Sequence, residues 1–321
     1  MTGITRQKAA GVTAGYFCTD AQHIGGGYDA YAIKDNENRI WKIMGDSSIR
    51  CEIKTASASR LYAVELVSPI CRYEDIQTIQ QLVRALREAG AMVNSSCGIH
   101  IHVDASKHTP KTLRNLVNIM AAKEDLLYKT LQINVAREHY CAKSDTRFLD
   151  ALNKRPPHTL QELNRMWYNG ADRSYYHYDD TRYHALNLHT VFSKGTVEFR
   201  LFNSTLHAGK IKAYIQLCLA ISHQALIQKS ASKIKTVPEN EKYTFRTWLL
   251  RLGMVGNEFK TARLHLLKNL EGNIAWRDPA QAEAQKIRLA KKQDMNETQQ
   301  LESPPIAVLQ VNDEQDEDME I

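Results

Sequence analysis

The chain has 321 residues, of which 43% are hydrophobic and 24% charged, an ordinary balance for a globular protein. This composition excludes collagen-like, coiled-coil and wholly disordered chains, and the length predicts about two domains. Six scattered cysteines without a CxxC pair exclude a disulfide scaffold and a cysteine zinc cluster. Because no apolar stretch is long enough to span a bilayer and the N-terminus lacks the apolar core of a signal peptide, we expect a cytoplasmic protein.

The net charge of +6 is unevenly distributed. After residue 300 the chain carries seven acidic residues and no Lys or Arg, so residues 1–300 have a formal charge of +13. A basic body suits an anionic partner such as a nucleotide or a nucleic acid, and a solvated basic surface is the alternative.

Hydrophobic periodicity and turn residues predict the elements of the first half of the chain. They are a helix over 5–17 capped by Thr5, a hairpin of strands 28–34 and 39–44, a strand over 61–68, a helix over 73–89 and a strand over 98–104. A helix follows from Thr109-Pro110 to about residue 131, because proline is favoured in the first helical turn. Thr159-Leu160-Gln161-Glu162 reads as a capping box that begins a short helix.

In the second half we predict strands over 184–192 and 196–202, and helices over 210–228, 244–251, 257–270 and 280–300. From Ser303 the proline-containing acidic sequence predicts disorder. This order of elements is not a βαβ alternation, so it indicates an α+β fold with a largely antiparallel sheet and helices on one face. The predicted organisation is one domain over 1–275, a polar helical extension over 276–302 and an acidic tail over 303–321.

Several strands place chemically reactive residues on one face, because strand side chains alternate. His100, His102 and Asp104 share a face of one strand, Glu198 and Arg200 a face of another, and Asn187 and His189 a face of a third. In a fourth strand Glu65 lies between apolar neighbours. If Lys194-Gly195 forms a two-residue hairpin turn, His189 pairs with Arg200 and Asn187 with Phe202.

Carboxylates and imidazoles that converge on one sheet face suit a metal ion, and an arginine beside a carboxylate offers a fork for phosphate or carboxylate. A solvated outer face with an ordinary surface ion pair is the alternative. We predict that Glu198→Ala abolishes the turnover of such a site and leaves the fold intact.

Five segments carry a wider resemblance, and they are Trp41–Ile49, Val64–Pro69, Cys97–Val103, Tyr183–Leu188 and Thr196–Arg200. Together and in this order they resemble the amidoligase family, over roughly residues 1–275. That family is similar in turn to the glutamine synthetase and glutamate–cysteine ligase superfamily. The resemblance implies a curved antiparallel sheet like that of the glutamine synthetase catalytic domain. It also implies an ATP-dependent ligase that joins a small-molecule or peptide carboxylate to an amine through an acyl phosphate, with Mg²⁺ or Mn²⁺.

The resemblance also implies roles for individual residues. It assigns catalytic roles to Arg200, Glu198 and His102, and metal binding to Glu65, His100 and Glu198. It assigns nucleotide or substrate binding to His100, Asn187, His189, Arg182 and Lys42, with Asp46 as a further candidate. His23, Gly25-Gly26-Gly27 and Asp29 are expected either to form a phosphate or substrate loop or to be a flexible connection.

Members of the family usually begin with a strand of the pattern Gly-x-Glu-x-Glu, whose glutamates bind metal. Residues 1–6 here resemble the segment that comes after this strand in the family, and Glu52-Ile53-Lys54 lacks the second carboxylate. We therefore expect one of two situations: either the domain lacks its first strand and two metal ligands and the ligase is inactive, or the start codon is misassigned to an internal Met and the ligase is active.

Two other functions remain open from the residues alone. His100-Ile101-His102 suits a metal-dependent amidohydrolase, although that class is built on a regular βα barrel. The basic stretch over 286–292 suits a nucleic-acid or protein-binding module, although it lacks the interleaved aromatic residues of single-strand binders, so we do not expect nucleic acid as the partner.

Overall fold

The computed structural model describes residues 1–51 and 60–301, without the side chains of 279 and 296–301. The predicted acidic tail after Ser303 and the Glu52 segment lie outside the described residues. The helices are α1 (Arg6–Phe17), α2 (Ile76–Glu88), α3 (Pro110–Leu131), α4 (Thr146–Lys154), α5 (Leu160–Trp167), α6 (His189–Lys194), α7 (Ala208–Ile227), α8 (Glu241–Arg251), α9 (Lys260–Leu267) and α10 (Pro279–Leu301). The strands are β1 (Ala21–Gly25), β2 (Ala30–Lys34), β3 (Ile40–Gly45), β4 (Val64–Val67), β5 (Gly98–Asp104), β6 (Leu186–Asn187) and β7 (Thr196–Asn203).

The first four strands form an antiparallel sheet in the order β1-β2-β3-β4. Helix α1 packs on one face of it, where Phe17 meets Trp41 and the alanines of α1 meet Ile33 and Ile43. Small residues on α1 allow this close approach, and the Thr5 hydroxyl caps the helix by accepting from the Lys8 N–H. Polar residues of this sheet can therefore lie on the opposite face, which α1 does not cover.

The other strands form a second antiparallel sheet in the order β5-β7-β6. Val197, Phe199 and Leu201 of β7 are buried with apolar residues of α3 and α7 in the larger core. Helix α2 packs against α7 and so joins the two halves, with the Gln80 side-chain amide donating to the Ala208 carbonyl at 3.0 Å. Both sheets thus carry helices on the apolar face.

The α+β class with antiparallel sheets is confirmed, but the expected single sheet is replaced by two separate sheets among the described residues. The cap at Thr109 is confirmed, and at Thr159 the hydroxyl accepts from the Glu162 N–H. The Glu162 carboxylate reaches back to the His158 N–H rather than to Thr159, which departs from a strict capping box. Strand β1 was not predicted, because its side chains are largely exposed and show no apolar alternation.

The predicted strand over 184–192 is confirmed only for Leu186–Asn187, and the predicted two-residue hairpin turn is wrong. Residues His189–Lys194 form helix α6, which ends at Gly195 with a left-handed φ of +70°. The turn is stabilised locally, since Asn187 Oδ1 accepts from the His189 N–H and Thr190 donates its hydroxyl to the Thr196 carbonyl. Consequently Asn187 pairs with Glu198 and not with Phe202, and His189 does not pair with Arg200.

A bulge in the β5–β7 ladder explains why the Phe202 side chain is buried in the core. The pairing shifts by one residue between Ile101 opposite Phe199 and Ile99 opposite Phe202. Leu201 and Phe202 are therefore both buried in the core, although they are neighbours in the strand.

None of the described helices combines the length and the apolar composition that a membrane-spanning segment requires.

Candidate active site

The centre of the site is the polar face of the β5–β7 ladder. His102 lies directly opposite Glu198, and period-two alternation places His100 and Arg200 on the same face. Strand β6 adds Asn187 opposite Glu198 from the other side. The sheet therefore brings together five of the predicted site residues.

Glu198 is the most heavily contacted residue of this group. Its Oε1 accepts from Arg200 Nη1 at 2.7 Å, and its Oε2 accepts from Asn187 Nδ2 at 2.6 Å. His100 Nδ1 and His102 Nε2 lie 3.3 and 3.6 Å from Oε1. Glu198 is only 2% exposed and Arg200 4%, whereas the His100 and His102 side chains are 34% and 36% exposed, so the ion pair is covered and the imidazoles reach solvent. The alternative of an ordinary surface ion pair is thus excluded for Glu198 and Arg200.

The surroundings of Glu198 set the charges in the site. Burial alone would raise the pKa of Glu198, but the Arg200 guanidinium, the His100 and His102 imidazoles and the Asn187 amide together outweigh burial and lower the pKa to about 2. Burial, together with the Arg200 cation, lowers the pKa of His100 to about 3. Burial also lowers the pKa of His102. At neutral pH the site therefore holds an ionised carboxylate beside neutral imidazoles.

Two residues that the sequence did not indicate complete the covering of Arg200. The ring of Tyr183 lies 5.7 Å from the Arg200 guanidinium carbon, and the Tyr140 carbonyl lies 3.4 Å from Arg200 Nε. Among the described residues, Nη2 of Arg200 has no hydrogen-bond partner. This nitrogen is available to an anionic ligand.

Arg137 is a third unpredicted residue, a buried cation behind the ladder. Its Nη1 donates to the Phe202 carbonyl and its Nη2 to the Arg200 carbonyl, the latter at 3.4 Å. A Cβ on Gly98 would lie 2.2 Å from Nη2 of Arg137, so a side chain at this strand position would displace the Arg137 guanidinium. A glycine inside a strand is a signal of such close approach, and it could have indicated a neighbour, though not which one.

Glu65 approaches the site from the other sheet. It lies opposite Met44 in the β3–β4 ladder, and its carboxylate has no hydrogen-bond or ion-pair partner among the described residues. Burial raises its pKa, and the negative charges of Asp46 and Glu198 raise it further. Glu65 and Glu198 thus influence each other across the two sheets, and no ion pair neutralises Glu65 in the described part of the chain.

This arrangement bears on the predicted metal ion. Within residues 1–51 and 60–301, no three His, Cys, Asp or Glu side chains lie close enough to enclose a metal, so Glu65, His100 and Glu198 form no closed cage. Mg²⁺ is usually held by one or two carboxylates, waters and substrate phosphates rather than by a protein cage. The unpartnered Glu65 near Glu198 fits such a shared site.

Arg182 lies at the mouth of the site, in the segment that precedes β6. Its Nη1 donates to the His177 carbonyl at 2.6 Å, and its guanidinium lies 5.8 Å from the rings of both Tyr178 and Tyr183. In the described part of the chain it forms no ion pair, and its buried Nε has no partner. Tyr178 in turn shares a hydrogen bond of 2.8 Å with the hydroxyl of Tyr28.

The structure places two of the predicted nucleotide ligands apart from the Glu198 cluster. The His189 ring is buried, and its Nδ1 bonds to the Tyr168 hydroxyl at 2.7 Å. Lys42 is exposed on β3, opposite Val67 and Ala32. His189 therefore contributes to the site through its backbone N–H, which holds Asn187.

The remaining candidates form local contacts. Asp46 accepts hydrogen bonds from the backbone and hydroxyl of Ser48. Asp29 binds Arg6 through Nε at 3.0 Å and His23 through Nε2 at 2.6 Å. Side chains added at residues 25–27 would meet nothing within 4 Å, so these glycines lie in open space.

Comparison with known families decides the classification. The family model described as "Putative amidoligase enzyme" matches residues 1–222. The chain belongs to this amidoligase family. The match includes every strand and all the site residues of this amidoligase, and ends within α7. The family indicates a ligase. No curated protein and no solved structure matches the chain.

Proposed function

We propose that this amidoligase is an ATP-dependent carboxylate–amine ligase that acts through an acyl phosphate. The observation that supports the proposal best is the buried Glu198–Arg200 pair, in which Arg200 Nη2 has no hydrogen-bond partner among the described residues, with the unpartnered Glu65 within electrostatic reach of Glu198. A guanidinium nitrogen without a partner, on a cation that is paired with one carboxylate and has a second carboxylate nearby, suits a phosphoryl group that arrives with its own cation. The acid, the amine and ATP are the proposed small-molecule partners.

In the first step an oxygen of the acid's carboxylate attacks the γ-phosphorus of ATP, and the bond to ADP breaks. Arg200 is assigned to the oxygens of the transferring phosphoryl group, where a fixed cation stabilises developing charge. Glu65 and Glu198 are assigned to hold Mg²⁺, which neutralises phosphate charge when bound. Asn187 keeps the Glu198 carboxylate in place for this task.

In the second step the amine nitrogen attacks the acyl carbon, a C–N bond forms and inorganic phosphate leaves. The nitrogen must lose a proton. The His102 imidazole is assigned to accept it, because it is neutral at neutral pH and is held in place by the hydrogen bond of 2.9 Å between its Nδ1 and Thr196 Oγ1. His100 is assigned to the phosphates, as a neutral imidazole beside Glu198.

The test is acid-dependent ADP formation by the purified chain with Mg²⁺, ATP, hydroxylamine as the amine, and a panel of carboxylic acids. An acyl phosphate gives one hydroxamate for each ADP. Glu198→Gln should reduce the rate by about 100-fold or more, whereas Glu88→Gln, on the exposed end of α2, should not change it.

Three results would count against the proposal. They are hydroxamate formation without ATP, ADP formation that does not depend on the acid, and an unchanged rate in Glu198→Gln. Binding of MgATP with no turnover for any acid would favour the inactive form of the ligase instead.

A further inference from the structure

A column of alternating tyrosine rings and guanidinium groups runs from the mouth of the site to Glu198. Tyr178, Arg182, Tyr183 and Arg200 follow one another at ring-to-cation distances of 5.8, 5.8 and 5.7 Å. The last cation bonds to Glu198 at 2.7 Å. Each contact is within the range of a cation–π interaction.

Tyr183 is the member of the column that touches both cations. Its backbone N–H donates to the Asp180 carbonyl, and its carbonyl accepts from the Ala142 N–H at 2.8 Å. Its ring also meets the edge of the Tyr140 ring at 5.9 Å. Tyr183 is thus held by two neighbouring segments, while the hydrogen bonds of the Arg200 side chain, among the described residues, are those to Glu198 and, at 3.4 Å, to the Tyr140 carbonyl.

The outer end of the column is fixed to the other half of the molecule. The Tyr178 hydroxyl shares a hydrogen bond with the Tyr28 hydroxyl. The backbone carbonyl of Tyr28 in turn accepts a hydrogen bond from the Gly45 N–H at the end of β3. The column therefore connects the four-stranded sheet, which carries Glu65, to the three-stranded sheet, which carries Glu198.

We propose that Tyr183 is a positioning residue, which holds the Arg200 guanidinium against Glu198 so that Nη2 points at the transferring phosphoryl group. The proposal rests on the ligase function for its catalytic consequence, but the restraint on Arg200 is a property of the free protein. A ring between two cations restrains both through its π face, and the tyrosine hydroxyl is not required for this.

The experiment compares Tyr183→Phe, which keeps the ring, with Tyr183→Leu, which removes it. Tyr175→Leu is the matched control, because Tyr175 is an exposed tyrosine of the same segment that stacks on Tyr176. Two quantities are measured for each variant: the kcat and KM for ATP in the hydroxamate assay, and the hydrogen-exchange rate of the Arg200 Nε–H by ¹⁵N NMR of arginine-labelled protein. Thermal unfolding verifies that each variant is folded.

Tyr183→Leu should lower kcat by about tenfold, the size of one partly desolvated cation–π contact, with KM for ATP changed by less than about twofold. It should also speed exchange at Arg200 Nε–H by about tenfold. Tyr183→Phe and Tyr175→Leu should resemble the wild type in both measurements.

Unchanged exchange in a folded Tyr183→Leu protein would overturn the proposal, and so would equal losses in Tyr183→Phe and Tyr183→Leu. If Tyr183→Leu does not fold, an exchange rate in Tyr183→Phe that differs from the wild type by more than about twofold overturns it, and an unchanged rate supports it. If the wild type turns over no acid, the ligase function fails, and the exchange rates alone decide whether Tyr183 restrains Arg200.

Discussion

Asn187 Nδ2 donates to Glu198 Oε2 at 2.6 Å, directly across the β6–β7 ladder, while Arg200 occupies the other oxygen of the same carboxylate. The amide oxygen of Asn187 is used as well, by the His189 N–H at the start of α6. One asparagine thus links the turn after β6 to the central carboxylate of the site.

Asn187→Asp should therefore behave differently from Asn187→Ala. The alanine leaves one Glu198 oxygen without its donor, which should cost about 1–3 kcal/mol of unfolding free energy at any pH. The aspartate places a second carboxylate against Glu198, so the pKa of the new aspartate should rise. The loss of unfolding free energy should be largest when this aspartate is ionised. The loss in Asn187→Asp should shrink as the pH falls from 8 to 5, because the protonated acid can donate as the amide did. Urea unfolding at the two pH values measures this, and parallel losses in both variants would contradict it.

Burial of the Glu198–Arg200 pair changes what is expected of Glu198 variants. The prediction that Glu198→Ala leaves the fold intact has to be revised, because removing one partner of a buried pair leaves the other charge uncompensated, at a cost of about 3–5 kcal/mol. Glu198→Leu should show this loss in urea unfolding, and the double variant Glu198→Leu/Arg200→Met should recover most of it. The exposed pair of Lys286 and Glu283 is the control, since breaking it should cost less than about 1 kcal/mol. A double variant less stable than the single one would argue against a pair whose charges depend on each other.

The sequence predicted part of this site for a definite physical reason. Alternation along 98–104 and 196–202 is enough to place His100, His102, Glu198 and Arg200 on one face, because the strands are real and antiparallel. The position of Asn187 opposite Glu198 depended on the turn, and the assumed tight hairpin gave the wrong pairing. A helical turn was favoured instead by side-chain bonds of Asn187 and Thr190, which period-two reasoning does not represent.

The burial of Glu198 and Arg200 could not be predicted from the strands themselves. Their cover comes from Tyr140, Tyr183 and Arg137, which lie outside the strands and far from β5 in the sequence. The approach of Glu65 from a separate sheet likewise depends on how the two sheets pack, and packing between remote elements leaves no local pattern.

The depressed pKa of His100 predicts how stability depends on pH. In the folded protein His100 stays neutral down to about pH 3, whereas in the unfolded chain it takes up a proton below about pH 6.5. Between these values the unfolded state binds more protons, so stability falls as the pH is lowered from 6.5 toward 3. Glu198 adds to the same trend below about pH 4.5, since its folded pKa of about 2 is also depressed. His100→Asn should flatten the dependence between pH 6.5 and 4.5 in urea unfolding, and an unchanged slope in that window would contradict the assignment.

Glu65 provides a test of the cation in the absence of turnover. Without Mg²⁺, Glu65→Gln should leave stability equal to the wild type or raise it by less than about 1 kcal/mol, because it removes repulsion from Asp46 and Glu198. With millimolar Mg²⁺ and a non-hydrolysable ATP analogue, the unfolding midpoint of the wild type should rise, since a ligand bound to the folded state stabilises it. That rise should be much smaller in Glu65→Gln and unchanged in the exposed control Glu88→Gln. An equal rise in Glu65→Gln would remove Glu65 from the cation site and leave Glu198 as its main protein ligand.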